Sequence, residues 1–309
     1  MDITAVCRQF ISDRILSSLP LGNGHINDTF LVKTDRSQYV LQRIRPQMDV
    51  EKLSHNYRLY SEACLKAGWL FPTFLNTRDN DKYQTDGEGF HWRMYPYIDG
   101  DTLSAPLSSE ALFACGQGIA KMHAILNNLN GTPKAVYPVL HDLSHYYVEF
   151  KELLAGDNLS ALERNPGAEE IIERRIDEFV KPASAVSSIV HGDAKLDNIL
   201  FRNGQVVGFL DYDTVMPGLP AEDVADCIRS CCLRNGVYDR DAAAILIDGY
   251  SSINNSLTSD EIQSAFRKIC FELGLRYYTD AISKEKKFKV HYPGYRLGKA
   301  KTLLAIADQ

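Results

Sequence analysis

The sequence predicts an α+β fold, with strands near the start and a mostly helical remainder. Three observations predict it. Near the start, Asp28 to Val32 and Gln38 to Ile44 are extended apolar runs separated by a short polar turn. From Ser108 onward, apolar residues recur at helical spacing. Inside that helical half, the stretch from Ser188 to Asp213 reverts to short β-branched and apolar runs around a polar loop.

The 309 residues allow one large or two medium domains, and 45% hydrophobic residues suffice for a full core. A net charge of −6 argues against generic nucleic-acid binding. Met1-Asp2-Ile3-Thr4 lacks the basic start of a signal peptide, and no apolar run reaches membrane-span length. Seven cysteines without framework spacing fit a reducing, cytoplasmic setting. Cys227, Cys231 and Cys232 raise the question of a metal. With no paired Cys-x-x-Cys units or neighbouring His, they read as small apolar residues of a buried helix.

Ile3, Val6, Phe10 and Ile15 predict a surface helix over 3–16. Gly22, Asn23 and Gly24 then precede the run to Lys33, either as an ordinary hairpin or as a loop whose two glycines let backbone amides approach a phosphate. The strand to Ile44 is followed by a helix over 50–67. Residues 69–76 and 89–96 read as strands flanking a polar turn. Pro96 and Gly100 make Met94-Tyr95-Pro96-Tyr97-Ile98-Asp99-Gly100 a non-helical connector. Leu112, Phe113, Ile119, Met122, His123 and Ile125 give a helix over 108–128, with His123 a satisfied core histidine. Helices over 141–154 and 167–181 follow.

Chemistry concentrates in Val190-His191-Gly192-Asp193-Ala194-Lys195-Leu196-Asp197-Asn198-Ile199-Leu200-Phe201 and in Val206-Val207-Gly208-Phe209-Leu210-Asp211. Asn203-Gly204 between them tolerates positive φ and predicts a two-residue hairpin. The hairpin returns Asp211 toward Asp193, Lys195 and Asn198. These residue types suit phosphoryl transfer from Mg·ATP. One Asp orients a hydroxyl and accepts its proton, Lys offsets phosphate charge, and Asn with a second Asp supplies hard oxygens to Mg²⁺.

After Asp213 a Pro/Gly-rich loop leads into a helix, with Asp223 near its start, where a carboxylate accepts backbone amides. Asp226 and Arg229 share a face, as a local ion pair or a substrate contact. Thr258-Ser259-Asp260-Glu261 is a capping box opening a helix to Ile282. Arg276 and Asp280 on it stand in the weaker order for a mutual pair, which favours other partners. The lysine-rich stretch from Lys284 to Lys301 reads as solvated surface and argues against a polycationic acceptor there.

The spacing Asp-x-Lys-x-x-Asn followed by a strand-ending Asp resembles protein kinases, and His-Gly-Asp with Leu-Asp-Tyr-Asp is similar to the aminoglycoside phosphotransferase and choline kinase branch. Gly22-Asn23-Gly24-His25-Ile26-Asn27-Asp28-Thr29-Phe30, Leu210 to Gly218 and Leu275 to Asp280 further resemble bacterial N-acetylhexosamine 1-kinases. The chain departs from that group at Gly192, Lys299 and Lys301. The resemblance implies a two-lobe protein-kinase-like fold, with a small nucleotide-binding lobe carrying an antiparallel sheet over residues 1–97 and a larger, mostly helical lobe over 98–309, and ATP with Mg²⁺ as cofactors. It implies transfer to the anomeric hydroxyl of N-acetylglucosamine or N-acetylgalactosamine, with no nucleic-acid or membrane partner. Asp193 and Lys195 are then catalytic, and Asn198 and Asp211 bind metal. Gly22, Asn23, Gly24, Arg43, Met94 and Tyr97 hold the nucleotide. Gln42 or Arg43 stands in place of the strand lysine of such kinases, only one of them facing the cleft; Arg43 is chosen for its charge, with Glu51 or Glu62 as its partner. Asn27, Asp28, Arg229 and Arg276 contact the sugar. Kinases of choline, homoserine or an aminoglycoside, and a nucleotide-binding regulatory pseudokinase, are the alternatives.

Overall fold

The computed structural model describes residues 2–21, 28–160, 163–180, 188–234, 236–288 and 292–309. The chain divides into two units, Met1–Gly100 with Asn128–Val136, and Asp101–Asn127 with Tyr137–Gln309.

The first unit is built on a five-stranded antiparallel sheet. Its strands are β1 (Ile15–Pro20), β2 (Asp28–Thr34), β3 (Gln38–Ile44), β4 (Gln84–Thr85) and β5 (His91–Pro96), in the order β1-β2-β3-β5-β4. The predicted helix over 3–16 is shorter than expected. Helix α1 covers only Ile3–Cys7, capped by the Asp2 carboxylate, and Ile15 begins the edge strand. Pro20 ends that strand at the sheet edge, where a missing N–H costs no ladder bond. Residues 69–76 form no strand either. Leu75 N–H reaches the Met94 carbonyl at 2.8 Å, but Pro72 has no N–H with which to extend a ladder.

Side chains alternate across β3 and β5. Val32, Leu41, Trp92 and Met94 bury one face against Cys7 and Ile11. The opposite face carries Gln42 and Arg93. Arg93 is 1% exposed, with its guanidinium 5.0 Å from the Tyr57 ring and 4.6 Å from the Phe74 ring. Tyr57 belongs to helix α2 (Val50–Lys66), so α2 covers this second face.

The second unit is mostly helical. It contains α3 (Ser109–Leu126), α4 (Leu143–Ala155), α5 (Pro166–Phe179), α6 (Pro220–Cys231), α7 (Arg240–Ser251), α8 (Ser259–Ile282) and α9 (Tyr295–Ala307). The expected capping box opens α8, with Thr258 and Glu261 bonded reciprocally. Among the helices lie short antiparallel pairs: β6 (Ser188–Val190) with β9 (Met216–Gly218), and β7 (Ile199–Arg202) with β8 (Gln205–Phe209). Asn203 and Gly204 turn the β7–β8 hairpin with φ of 51° and 75°, the left-handed pair such a tight turn requires. A further small pair, β10 (Leu233–Arg234) and β11 (Val237–Tyr238), follows α6.

The lysine-rich stretch is more than a solvated surface. Lys284 Nζ donates to the Asp157 carbonyl, Lys287 pairs with Glu149, and Arg296 is bonded to the buried Asp280 carboxylate. Asp280 also accepts the backbone N–H of Lys287 and of Phe288. Asp280 and Arg276 therefore have other partners than each other, as their order along α8 predicts.

Candidate active site

The polar loop after β6 is held from both sides. Behind it stands Asp223, in the first turn of α6 and 2% exposed. One carboxylate oxygen accepts His191 N–H at 2.6 Å and the other accepts Gly192 N–H at 2.8 Å. His123 of α3 bonds the first oxygen through Nε2 at 2.9 Å, and its Nδ1 meets Tyr250 of α7 at 3.2 Å. The expected core histidine and the expected amide-accepting aspartate are thus partners of each other. Gly192 has φ +78°, and a Cβ there would lie 2.6 Å from the Thr214 carbonyl oxygen. Only glycine fits that turn.

His191 is buried. Its Nε2 donates to the Leu210 carbonyl at 2.9 Å, and its Nδ1 accepts the Asp193 N–H at 3.3 Å. This pattern fixes the neutral ring with the proton on Nε2, consistent with burial holding its pKa below the ordinary histidine value. The ring ties the loop to the end of β8, next to Asp211.

Asp193 Oδ2 accepts Lys195 Nζ at 2.6 Å and Asn198 Nδ2 at 3.0 Å. The same amide nitrogen donates to the Asp193 carbonyl at 2.8 Å. Both amide hydrogens of Asn198 are used in this way, so its Oδ1 is turned to the other side. Leu210 N–H bonds the Asn198 carbonyl at 2.8 Å, which brings Asp211 alongside. Asp211 itself adopts left-handed backbone, φ 59° and ψ 56°, a conformation that Asp tolerates better than most residues. Burial works to raise the Asp193 carboxyl, but the Lys195 charge and hydrogen bond outweigh it and hold it below the usual carboxylate range. Asp193 is ionised at neutral pH. Asp211 and Asp226 both bear on the Lys195 ammonium, and Arg229 bears on Asp193. Two hard oxygens from Asn198 and Asp211 fit a small divalent cation.

A family model described as phosphotransferase enzyme family matches residues 18–254. The chain belongs to that family. A homoserine kinase of Zymomonas mobilis is 24% identical over 86% of this chain and 80% of its own length. Among solved structures, an amicoumacin kinase in complex with AMP-PNP, Ca²⁺ and Ami has a TM-score of 0.68 at 13% identity, covering 100% of this chain and 94% of its own. A microcompartment-associated aminopropanol kinase has a TM-score of 0.67 at 18% identity, covering 99% and 95%. The fold of this phosphotransferase is therefore the α+β, protein-kinase-like one its sequence predicts. None of these three names is that of an N-acetylhexosamine kinase. Among the described residues no helix is long and apolar enough to cross a membrane.

The remaining candidate residues of the phosphotransferase are distributed as follows. Arg229 Nε donates to Asp226 at 2.8 Å, the local pair that is one of the two readings of these residues. Arg276 donates to Glu272 at 3.3 Å and stacks over the Tyr146 ring at 4.7 Å. Arg43 is bonded to Asp28, not to the expected Glu51 or Glu62. Arg43 and Asp28 are cross-strand neighbours, with Arg43 4.3 Å over the Phe90 ring. Arg43 shares the face of Leu41 and Trp92, away from α2, and Glu51 and Glu62 are exposed. The residue of β3 that faces α2 is Gln42, which accepts Arg93 Nε at 2.9 Å. Met94 is fully buried in the face packed by α1, and Tyr97 N–H is used by the Gln38 carbonyl at 2.9 Å. The nucleotide contacts expected there cannot involve the Met94 side chain or the Tyr97 N–H. Gly22, Asn23, Gly24 and Asn27 lie outside the described residues. Cys227 and Cys231 are joined by Cys115 of α3, with the three buried sulfurs within 4.8 Å of one another, while Cys232 stands outside this group.

One residue went unnoticed in the sequence. His141, just before α4, has φ 60°. Its Nε2 bonds the Gly192 carbonyl at 3.0 Å, and its Nδ1 meets Glu272 at 3.1 Å. A lone histidine in a connector carries no spacing signal. Burial works to lower its pKa, but Glu272 outweighs burial and raises it to about 10. A histidine raised in the fold adds stability fully present below its unfolded value near 6.5, lost as pH rises through its folded one. The difference in urea midpoint between the wild type and His141→Gln should therefore be widest near pH 6 and shrink steadily toward pH 10. A difference independent of pH over that range would exclude the charged pair.

Proposed function

We propose that this phosphotransferase transfers the γ-phosphate of Mg·ATP to a hydroxyl of a small polar acceptor, with the anomeric hydroxyl of an N-acetylhexosamine as the favoured target. The observation that carries the reading is the hydrogen-bonded cluster of Asp193, Lys195 and Asn198, with Asp211 alongside. Asp193 Oδ2 is occupied by Lys195 and Asn198, which assigns Oδ1 to the acceptor hydroxyl. The acceptor oxygen bonds the γ-phosphorus as the bond to the β–γ bridging oxygen breaks, and ADP leaves. The hydroxyl proton passes to Asp193. Its lowered pKa makes it a weak base, which suits a loose transition state with late proton transfer. Lys195 offsets phosphate charge. Asn198 Oδ1 and the Asp211 carboxylate would hold Mg²⁺, which supplies charge neutralisation at the phosphate oxygens.

The sugar assignment is supported by the stretch from Leu275 to Asp280. Its Arg276 is linked through Glu272 and His141 to the Gly192 carbonyl beside Asp193. Arg229 and Arg276 are each fixed by a carboxylate, and such fixed planar groups suit the several hydroxyls of a sugar. A second reading, phosphorylation of homoserine, is favoured by the named relative. It is also favoured by charge: protonated His141, Glu272 and Arg276 together carry one net positive charge, which suits an acceptor carboxylate.

ADP release with Mg·ATP should be measured against N-acetylglucosamine, N-acetylgalactosamine, homoserine, choline and kanamycin, with phosphorus NMR of the products. An N-acetylhexosamine 1-phosphate is expected. Turnover on homoserine alone would replace the sugar with the second reading. Nucleotide binding without turnover on any acceptor would overturn the catalytic reading in favour of a regulatory pseudokinase.

A further inference from the structure

We propose that Glu272 is a positioning residue: one buried carboxylate that sets both the acceptor-side Arg276 and, through His141, the loop that carries Asp193. The proposal rests on the assignment of Arg276 to the acceptor.

Glu272 lies on α8 and is 2% exposed. Its Oε1 accepts Arg276 Nη1 at 3.3 Å, one helical turn on, in the favourable order of acid before base. The same carboxylate faces His141 Nδ1 at 3.2 and 3.1 Å, and His141 Nε2 faces the Gly192 carbonyl at 3.0 Å. A carbonyl oxygen only accepts, and an ionised carboxylate only accepts. Both ring nitrogens must therefore donate, so the ring is an imidazolium by geometry alone. The chain Arg276, Glu272, His141, Gly192 is continuous and ends one residue before Asp193. Other charged groups bear on it. Glu222 of α6 adds negative potential at His141, and Lys268, itself paired with Glu222, adds positive potential at Glu272. Arg276 is further held by the Tyr146 ring of α4. A carboxylate divided between two cations has no spare oxygen to follow either one. Displacing Arg276 therefore changes how firmly His141 is held, and with it the Gly192 carbonyl.

Glu272→Gln tests this with little change of volume. Its amide would present a donor to one of the two cations, so both cannot be held. The expected result is a fall of about 10²-fold in kcat/KM, since ångström-scale misplacement of reacting groups costs that much. Acceptor KM should rise and kcat fall together, with the KM for ATP unchanged. His141→Ala should act mainly on kcat and Arg276→Gln mainly on acceptor KM. The double variant should lose at least tenfold less than the product of the single losses. Exactly multiplicative losses, or a Glu272→Gln enzyme with wild-type kcat and KM per folded molecule, would overturn the proposal. A readout free of any acceptor keeps this separate from the functional assignment. Nitrogen-15 NMR of the His141 ring at pH 8 should show a doubly protonated imidazole in the wild type and a neutral one in Glu272→Gln. A neutral ring in the wild type would overturn the proposal whatever the acceptor. An absence of turnover on every acceptor, with an imidazolium that depends on Glu272, would count against the acceptor assignment and leave the link to the loop supported.

Discussion

Asp193→Ala should lower kcat by about 10²–10⁴-fold, the range covered by a positioned general base. The carboxylate holds three things at once: the acceptor hydroxyl in the proposed mechanism, the Lys195 ammonium at 2.6 Å, and the Asn198 amide at 3.0 Å. Removing it also frees Lys195 and takes one of two bonds from Asn198, so the loss belongs at the upper end of that range. Asp193→Asn separates the contributions. Its amide oxygen still accepts from Lys195 but takes up no proton at neutral pH. An Asn variant as slow as the Ala variant would assign the loss to proton acceptance, and one near wild type would assign it to positioning. Nucleotide affinity, measured by titration with a non-hydrolysable ATP analogue, should stay within a few-fold in both, because Asn198 keeps its bond to the backbone carbonyl of residue 193 and Asp211 is untouched. Full activity in Asp193→Ala would remove Asp193 from the chemistry.

The parts of this site that were legible in the sequence are those written in local chemistry. Asn203-Gly204 specifies its hairpin by positive φ, and the hairpin carries Asp211 back to Asn198 with no help from distant residues. Thr258 and Glu261 specify the start of α8 in the same way. What was not legible depended on choosing between two faces or on contacts far apart in the chain. Gln42 and Arg43 differ by one position in β3, and nothing local says which faces α2. The structure decides it through Arg93, a charged residue buried against Tyr57 and Phe74. Residues 3–16 failed for a related reason. Ile3, Val6 and Phe10 fit helical spacing, but Ile15 and Leu19 fit an edge strand equally well, and pairing with β2 settled it. His141 reaches Gly192 across 51 residues and Glu272 across 131, separations no motif spans.

The second large effect is expected at a residue that touches neither substrate nor cofactor. Asp223→Ala should destabilise the protein by about 3–5 kcal/mol, the cost of leaving a buried partner uncompensated. Its carboxylate serves the His191 N–H, the Gly192 N–H and His123 Nε2, all of buried residues. Burial works to raise the Asp223 carboxyl, but the His123 hydrogen bond and charge outweigh it and hold it low. A depressed carboxyl contributes stability that is present above its unfolded value, near 3.9, and is lost as pH falls through its folded one. The deficit of Asp223→Ala should therefore be full at pH 7 and narrow only in strong acid. Asp223→Asn is the informative companion. It retains one acceptor oxygen where two are needed, so it should fold with a smaller loss of urea midpoint yet still show reduced kcat, because one of the two loop amides is left without its acceptor. Wild-type midpoint and kcat in both variants would mean that the loop is held without Asp223, by His141 on the Gly192 carbonyl and by Thr214 Oγ1, which donates to the His191 carbonyl at 2.9 Å. A folded Asn variant with low kcat would instead make the α6 carboxylate the support on which the placement of Asp193 depends.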